Sequence, residues 1–128
     1  MKLITHNMLE SRVKDCPDDK RFPLGINATK VIEQKVVLNK QFIINILTKI
    51  DWEVLLEAIK QIGYNEKIEL PLEIPVEIEK DDDLIMKIHH ALLEIEIIEG
   101  ELICQGTGRK FTIKEGIANM LLNSEELK

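Results

Sequence analysis

A chain of 128 residues, 45% hydrophobic and 31% charged, can bury one ordinary core and is too short for two large independent domains. That balance excludes a disordered chain. The net charge of -6 at pH 7 excludes binding nucleic acid through overall charge, because phosphate contact needs a positive face.

The opening "MKLITHNMLESRVKD" has neither the apolar region of an export signal nor a run approaching the about 18 apolar residues of a membrane span. Cys16 and Cys104 lie far apart in sequence. Without a secretory signal they read as reduced thiols of a cytoplasmic or nuclear protein, not as a disulfide.

Lys2 to Leu9 carries Leu3, Ile4, Met8 and Leu9 on both faces together with β-branched Ile4 and Thr5, which predicts a strand buried on both sides. Asp15 to Pro23 holds Pro17, Asp18 and Asp19 and reads as a loop. Val31, Ile32, Val36, Val37 and Leu38 predict a strand, or two short ones, within 28–38. The period then changes. Phe42, Ile43, Ile46, Leu47 and Ile50 form a helical stripe behind Asn39 as N-cap. A second helix starts at Asp51, buries Trp52, Leu55, Leu56, Ile59 and Ile62, and stops at Gly63.

Pro71 and Pro75 make Tyr64 to Lys80 an extended surface link that cannot be a central strand. Asp81, Asp82 and Asp83 precede Leu84, Ile88, Ala91, Leu92 and Ile95, a helix whose N-terminal dipole is matched by carboxylates. Beyond Glu94, "EIEIIEGELIC", "QGTG" and "RKFTI" read as strand, turn and strand, with a bend at Gly100 and a further turn at Gly116. The order implies an α+β fold with a small antiparallel sheet built from both chain ends. Residues 1–38 and 94–128 would form the β domain and 39–93 an inserted helical domain, with the first strand beside the C-terminal hairpin and Cys16 near Cys104.

No catalytic constellation emerges. Gly106 and Gly108 are too few for a dinucleotide fingerprint and there is no P-loop. His89 and His90 are adjacent on a helix and diverge by about 100°, so they make no metal pair. Two cysteines cannot complete a zinc tetrahedron; His6 and Thr107 would have to help, but threonine is no zinc ligand. Zinc is therefore not expected, and the cysteines read as small buried residues joining two halves of the sheet. The chain ends stand out instead. Met1 to Leu9 and Ile117 to Leu122 are apolar within an acidic chain, and a partner strand is one way to satisfy such an edge.

"MKLITHNML", "FPL" at 22–24, "DW" at 51–52, "HHALLEIEIIEGELIC" at 89–104 and "GRKFTIKEGIANMLL" at 108–122 closely resemble the small zinc-knuckle activator subunits of eukaryotic and archaeal methyltransferases, the multifunctional tRNA methyltransferase activator family. The resemblance spans nearly the whole chain. It implies a non-catalytic subunit that forms one-to-one heterodimers with several S-adenosylmethionine-dependent methyltransferases acting on tRNA, small-subunit rRNA or the Gly-Gly-Gln glutamine of the translation termination factor. The cofactor would be bound by the partner, with none in this chain, and RNA would be touched only through the partner.

Zinc-binding members carry four cysteines at positions matching Ser11, Cys16, Cys104 and Thr107, so this chain keeps one of each pair and "CQGTG" reads as a degenerate knuckle. Ala118 stands where the family typically has proline. Motif position and apolar character nominate Leu3, Thr5, Asn7, Met8, Phe111, Ile113, Ile117, Asn119, Met120 and Leu121 for the partner interface, with Asn7 and Asn119 bonding partner backbone at its rim. The competing reading is a stand-alone zinc-ribbon-like RNA-binding module, which would require metal and a basic face.

Overall fold

The computed structural model describes residues 1–122. In chain order they form α1 (Leu3–Met8), β1 (Gly25–Glu33), α2 (Lys40–Ile46), α3 (Trp52–Gln61), α4 (Asp82–His89), β2 (Ile95–Ile103), β3 (Lys110–Lys114) and β4 (Ile117–Ala118). The strands make one sheet in the order β1-β2-β3-β4, every neighbouring pair antiparallel. The α+β class and a sheet drawn from both halves of the chain therefore hold. Residues 123–128 of the expected β region lie outside the described residues.

The first element departs from expectation: Leu3–Met8 is a helix, not a strand. Its buried positions are Leu3, His6 and Asn7, the i, i+3, i+4 spacing of one helical face. Two of the three are polar, so the apolar residues alone hid the period. Each polar residue is satisfied far along the chain. His6 Nε2 lies 2.7 Å from Leu24 O, and Asn7 bonds both backbone groups of Asp51 at 2.8 and 2.9 Å. The sheet's first strand is consequently β1, and the N-terminus meets the sheet where Lys2 bridges Glu96, Ile97 N–H donates to Met1 O, and the Met1 ammonium donates to Ile97 O and Gly116 O.

β1 starts and ends earlier than the predicted 28–38. Beyond it Gln34 N–H still reaches Glu94 O, but Val37 is 92% exposed, so that apolar run has no sheet to enter. The helix starts follow their caps: Asn39, Asp51 and Asp81 accept from the N–H groups of Phe42, Val54 and Leu84. Gly63 takes the left-handed conformation after α3, with φ 80°. The 64–80 link is built of turns; it buries Ile68 and Ile78 and leaves Leu72 and Val76 exposed. A π-helical turn, His90–Glu94, leads from α4 directly into β2.

One hydrophobic cluster joins Leu3 of α1, Leu24 and Ile26 by β1, Ile43 of α2, Leu55 and Ile59 of α3, Ile85 and Ile88 of α4, and Ile97, Leu102, Phe111 and Ile113 of the sheet. β2 lies inside the sheet and buries Ile95, Ile97 and Leu102 completely. β4, two residues long, forms the far edge. Lys114, Glu115, Gly116 and Ile117 turn the chain into it, with φ 52° at Glu115 and 79° at Gly116, the left-handed pair of a type I′ hairpin turn.

Candidate functional site

The four degenerate knuckle positions converge. Cys16 and Cys104 are buried, their sulfurs 3.4 Å apart, and the hydroxyls of Ser11 and Thr107 both hydrogen-bond to Cys104. Two turns make the site. Cys104 C=O accepts from Gly108 N–H at 2.7 Å to close the second of them. At Gly106 a Cβ would come within 2.5 Å of Cys16 Sγ, so only glycine clears the sulfur.

Burial pushes the Cys104 thiol up, but hydrogen bonds from Ser11, Thr107 and Cys16 outweigh it and hold the thiol at about 7. Burial and the neighbouring Cys104 raise the Cys16 thiol. As a zinc site this donor set does not fit. Neutral hydroxyls stand where a structural zinc needs thiolates or imidazoles, and no group of three or more His, Cys, Asp or Glu among the described residues is placed to hold a metal.

Arg21, which the sequence reading passed over, fixes the first turn. Its buried Nη1 donates to Ser11 O at 3.1 Å and Val13 O at 2.8 Å, and its Nε donates to Asp18 Oδ1. Ser11 N–H donates in return to Arg21 O at 2.8 Å. The guanidinium thus supplies donors to two carbonyls of a segment outside the four-stranded sheet. No hydrophobic period announces such a residue.

The second feature is an apolar surface between α1 and the β4 edge. A groove of about 370 Å³ is lined by Lys2, Thr5, Leu9, Glu96, Ile117, Ala118 and Met120. A second hollow, holding Met8, Leu9, Phe111 and Met120, adjoins it along α1, and a third runs from Thr112 to Leu121 along β4. Met120 lines all three. Met8 is 51%, Ile117 70% and Leu121 80% exposed, an apolar concentration of the kind that marks a contact surface. The flexible thioethers of Met8 and Met120 suit a surface that adapts to more than one shape.

Of the residues nominated from sequence, Thr5, Met8, Ile117, Asn119, Met120 and Leu121 line these hollows or face solvent beside them. Leu3, Phe111 and Ile113 are buried in the core and Asn7 against Asp51 in the isolated chain; Phe111 nevertheless lines the second hollow. The exposed Asn119 amide bonds within its own chain, its Oδ1 accepting from Leu121 N–H at 3.1 Å. Leu9 and Ala118 complete the lining, and both were missed because one apolar residue at a helix end and one alanine carry no pattern.

Comparison with known proteins gives a consistent result. Residues 2–116 match the family described as Trm112p-like protein. The chain is 44% identical over 129 residues to the multifunctional methyltransferase subunit TRM112 homolog A of Arabidopsis thaliana, covering 99% of this chain and 100% of the relative. It is 40% identical to the TRM112-like multifunctional methyltransferase subunit of Bos taurus, covering 98% of each. For the TRM112 subunit of Saccharomyces cerevisiae the identity is 33%, covering 95% of this chain and 96% of the relative. Among solved structures, a chain of the E. cuniculi Mtq2-Trm112 complex, responsible for methylation of the eRF1 translation termination factor, superimposes with a TM-score of 0.56 at 20% identity, covering 94% of this chain and 95% of that one. That likeness supports the fold.

Proposed function

This chain belongs to the Trm112p-like protein family, and on that premise we propose that it is a non-catalytic activating subunit that heterodimerises with S-adenosylmethionine-dependent methyltransferases. Its relatives are named multifunctional methyltransferase subunits, and the structural neighbour is a complex with a methyltransferase that modifies a termination factor. The partners would act on tRNA, rRNA or the Gly-Gly-Gln glutamine of the termination factor, in the cytoplasm and nucleus. Each partner would bind the cofactor, and the knuckle of this chain would stand without zinc.

The observation that carries this reading is the set of adjoining hollows that share Met120, with Met8, Leu9, Ile117 and Leu121 among their lining and Lys2, Glu10, Arg12, Glu96 and Lys114 as their charged members. A catalytic partner that covers Met8, Ile117 and Leu121 gains their burial, worth about 1.5–3 kcal/mol for each large side chain fully removed from water. The short β4 edge offers main-chain groups for strand addition. Both features stabilise the partner by mass action, since a chain that binds only folded enzyme opposes its unfolding.

The test is co-expression with a methyltransferase catalytic subunit. Met8→Asp combined with Met120→Asp should abolish co-purification while the variant keeps the parent's circular dichroism, because Met8 is exposed and Met120 half-buried at the surface. A complex that survives both charges would overturn the assignment of this surface.

A further inference from the structure

We propose that Cys16 and Cys104 are an oxidative modification site, closing to an intramolecular disulfide when a peroxide reaches the knuckle. The inference goes beyond the methyltransferase reading and does not depend on it. With the sulfurs 3.4 Å apart, a disulfide of about 2.0 Å requires them to approach by roughly 1.4 Å. That is within reach of two facing loops: Cys16 lies in a bend, and Cys104 directly precedes the turn at 105–107.

Three local features favour the reaction. Gly106 sets no side chain against Cys16 Sγ, where a Cβ would lie 2.5 Å away. The hydroxyls of Ser11 and Thr107 hydrogen-bond to Cys104, which favours its thiolate over that of Cys16 and makes it the attacking sulfur. The cover over the sulfurs is thin, since Asp15, Pro17, Gln105, Thr107 and Gly108 around them are all exposed. A small oxidant can therefore enter where a bulky disulfide reagent cannot.

The chemistry balances with one peroxide. Cys104 sulfur attacks one peroxide oxygen, the O–O bond breaks, and the departing hydroxide takes the proton released by the thiol, leaving a sulfenic acid and water. Cys16 sulfur then attacks the sulfenic sulfur; the S–O bond breaks, and the oxygen leaves with the Cys16 proton as a second water. Two thiols give two electrons to the peroxide and become one disulfide. The cross-link joins residues 88 apart, so it constrains the unfolded chain strongly.

The test treats the chain with a few equivalents of hydrogen peroxide, removes the peroxide, blocks remaining thiols of one portion with a maleimide in denaturant, and reads intact mass, a tryptic map and, on the unblocked portion, melting temperature. The expected product is a monomer lighter by two hydrogens, free of maleimide, with the Cys16 and Cys104 peptides joined. Its melting temperature should rise by about 5 °C or more, with reversal by dithiothreitol. Cys16→Ser should instead yield a Cys104 sulfenic acid trapped by dimedone, with no rise; if that variant does not fold, the wild-type map decides. Two maleimide adducts after peroxide, a Cys104 sulfinate without cross-link, or cross-links only between molecules would overturn the proposal.

Discussion

Asn7 uses both ends of its amide on one residue, donating to Asp51 O and accepting from Asp51 N–H, and so ties α1 to the cap of α3. Asn7→Leu, close in volume, leaves two backbone groups without their partner, and urea unfolding should show a loss of about 2–4 kcal/mol. His6 gives a second prediction. Burial lowers its pKa below 6.5, and the contact with Leu24 O only partly offsets that. In the unfolded chain histidine takes its proton near 6.5. Between that value and the lower folded one the unfolded state binds more protons, so stability falls as pH drops below 6.5, by up to about 1.4 kcal/mol per pH unit. Glu94 adds to the loss at lower pH. Burial raises its carboxyl, but the Val36 N–H, His90 and His89 bring it below 4.5, so its contribution is present above 4.5 and lost as pH falls through the folded value. Denaturant titrations from pH 7.5 downward should show this decline, and His6→Gln should flatten its upper part. An unchanged slope in that variant would assign the loss elsewhere. None of these roles was legible, because a polar residue shows no period, and the backbone partners at Leu24, Asp51 and Val36 lie many residues from His6, Asn7 and Glu94.

Elements were legible where their causes are local. Asn39, Asp51 and Asp81 are N-caps because the bond each makes spans three residues. α1 was not legible, since its buried face depends on Leu24 and Asp51. Gly100 stands between the two cases. It reads as a bend in sequence, yet β2 continues through it. The glycine is there because β1 passes so close that a Cβ would lie 2.4 Å from Asn27 O and 2.9 Å from Ala28 Cα. Gly100→Ala must push β1 and β2 apart and should cost more than about 3 kcal/mol or prevent folding. Gly63→Ala meets no atom within 4 Å and should lose only about 1 kcal/mol, for its positive φ. Thermal melts of the two variants side by side check the contrast.

At the scale of the molecule, Ile43 and Leu55 of the helical segment belong to the same cluster as Ile97 and Phe111 of the sheet. Calorimetry of the isolated chain should therefore give one cooperative transition with equal calorimetric and van't Hoff enthalpies; two separated transitions would show that the helices hold without the sheet. The apolar character of both chain ends was legible, and so was their meeting. Which side chains face outward was not, because Leu3 and Met8, or Phe111 and Ile117, are alike in sequence and differ only in the layer beneath them. The pairing of β1 with β2, from Gly25↔Ile103 to Glu33↔Ile95, also governs the order in which the protein can be made. β1 leaves the ribosome long before β2 exists, and no adjacent strand can shelter it, since the intervening elements are helical. Leu24 and Ile26, buried in the finished sheet, must wait in contact with water or a chaperone until the distant partner strand arrives. Sheet closure thus waits on β2, and any surface resting on β4 exists only after it.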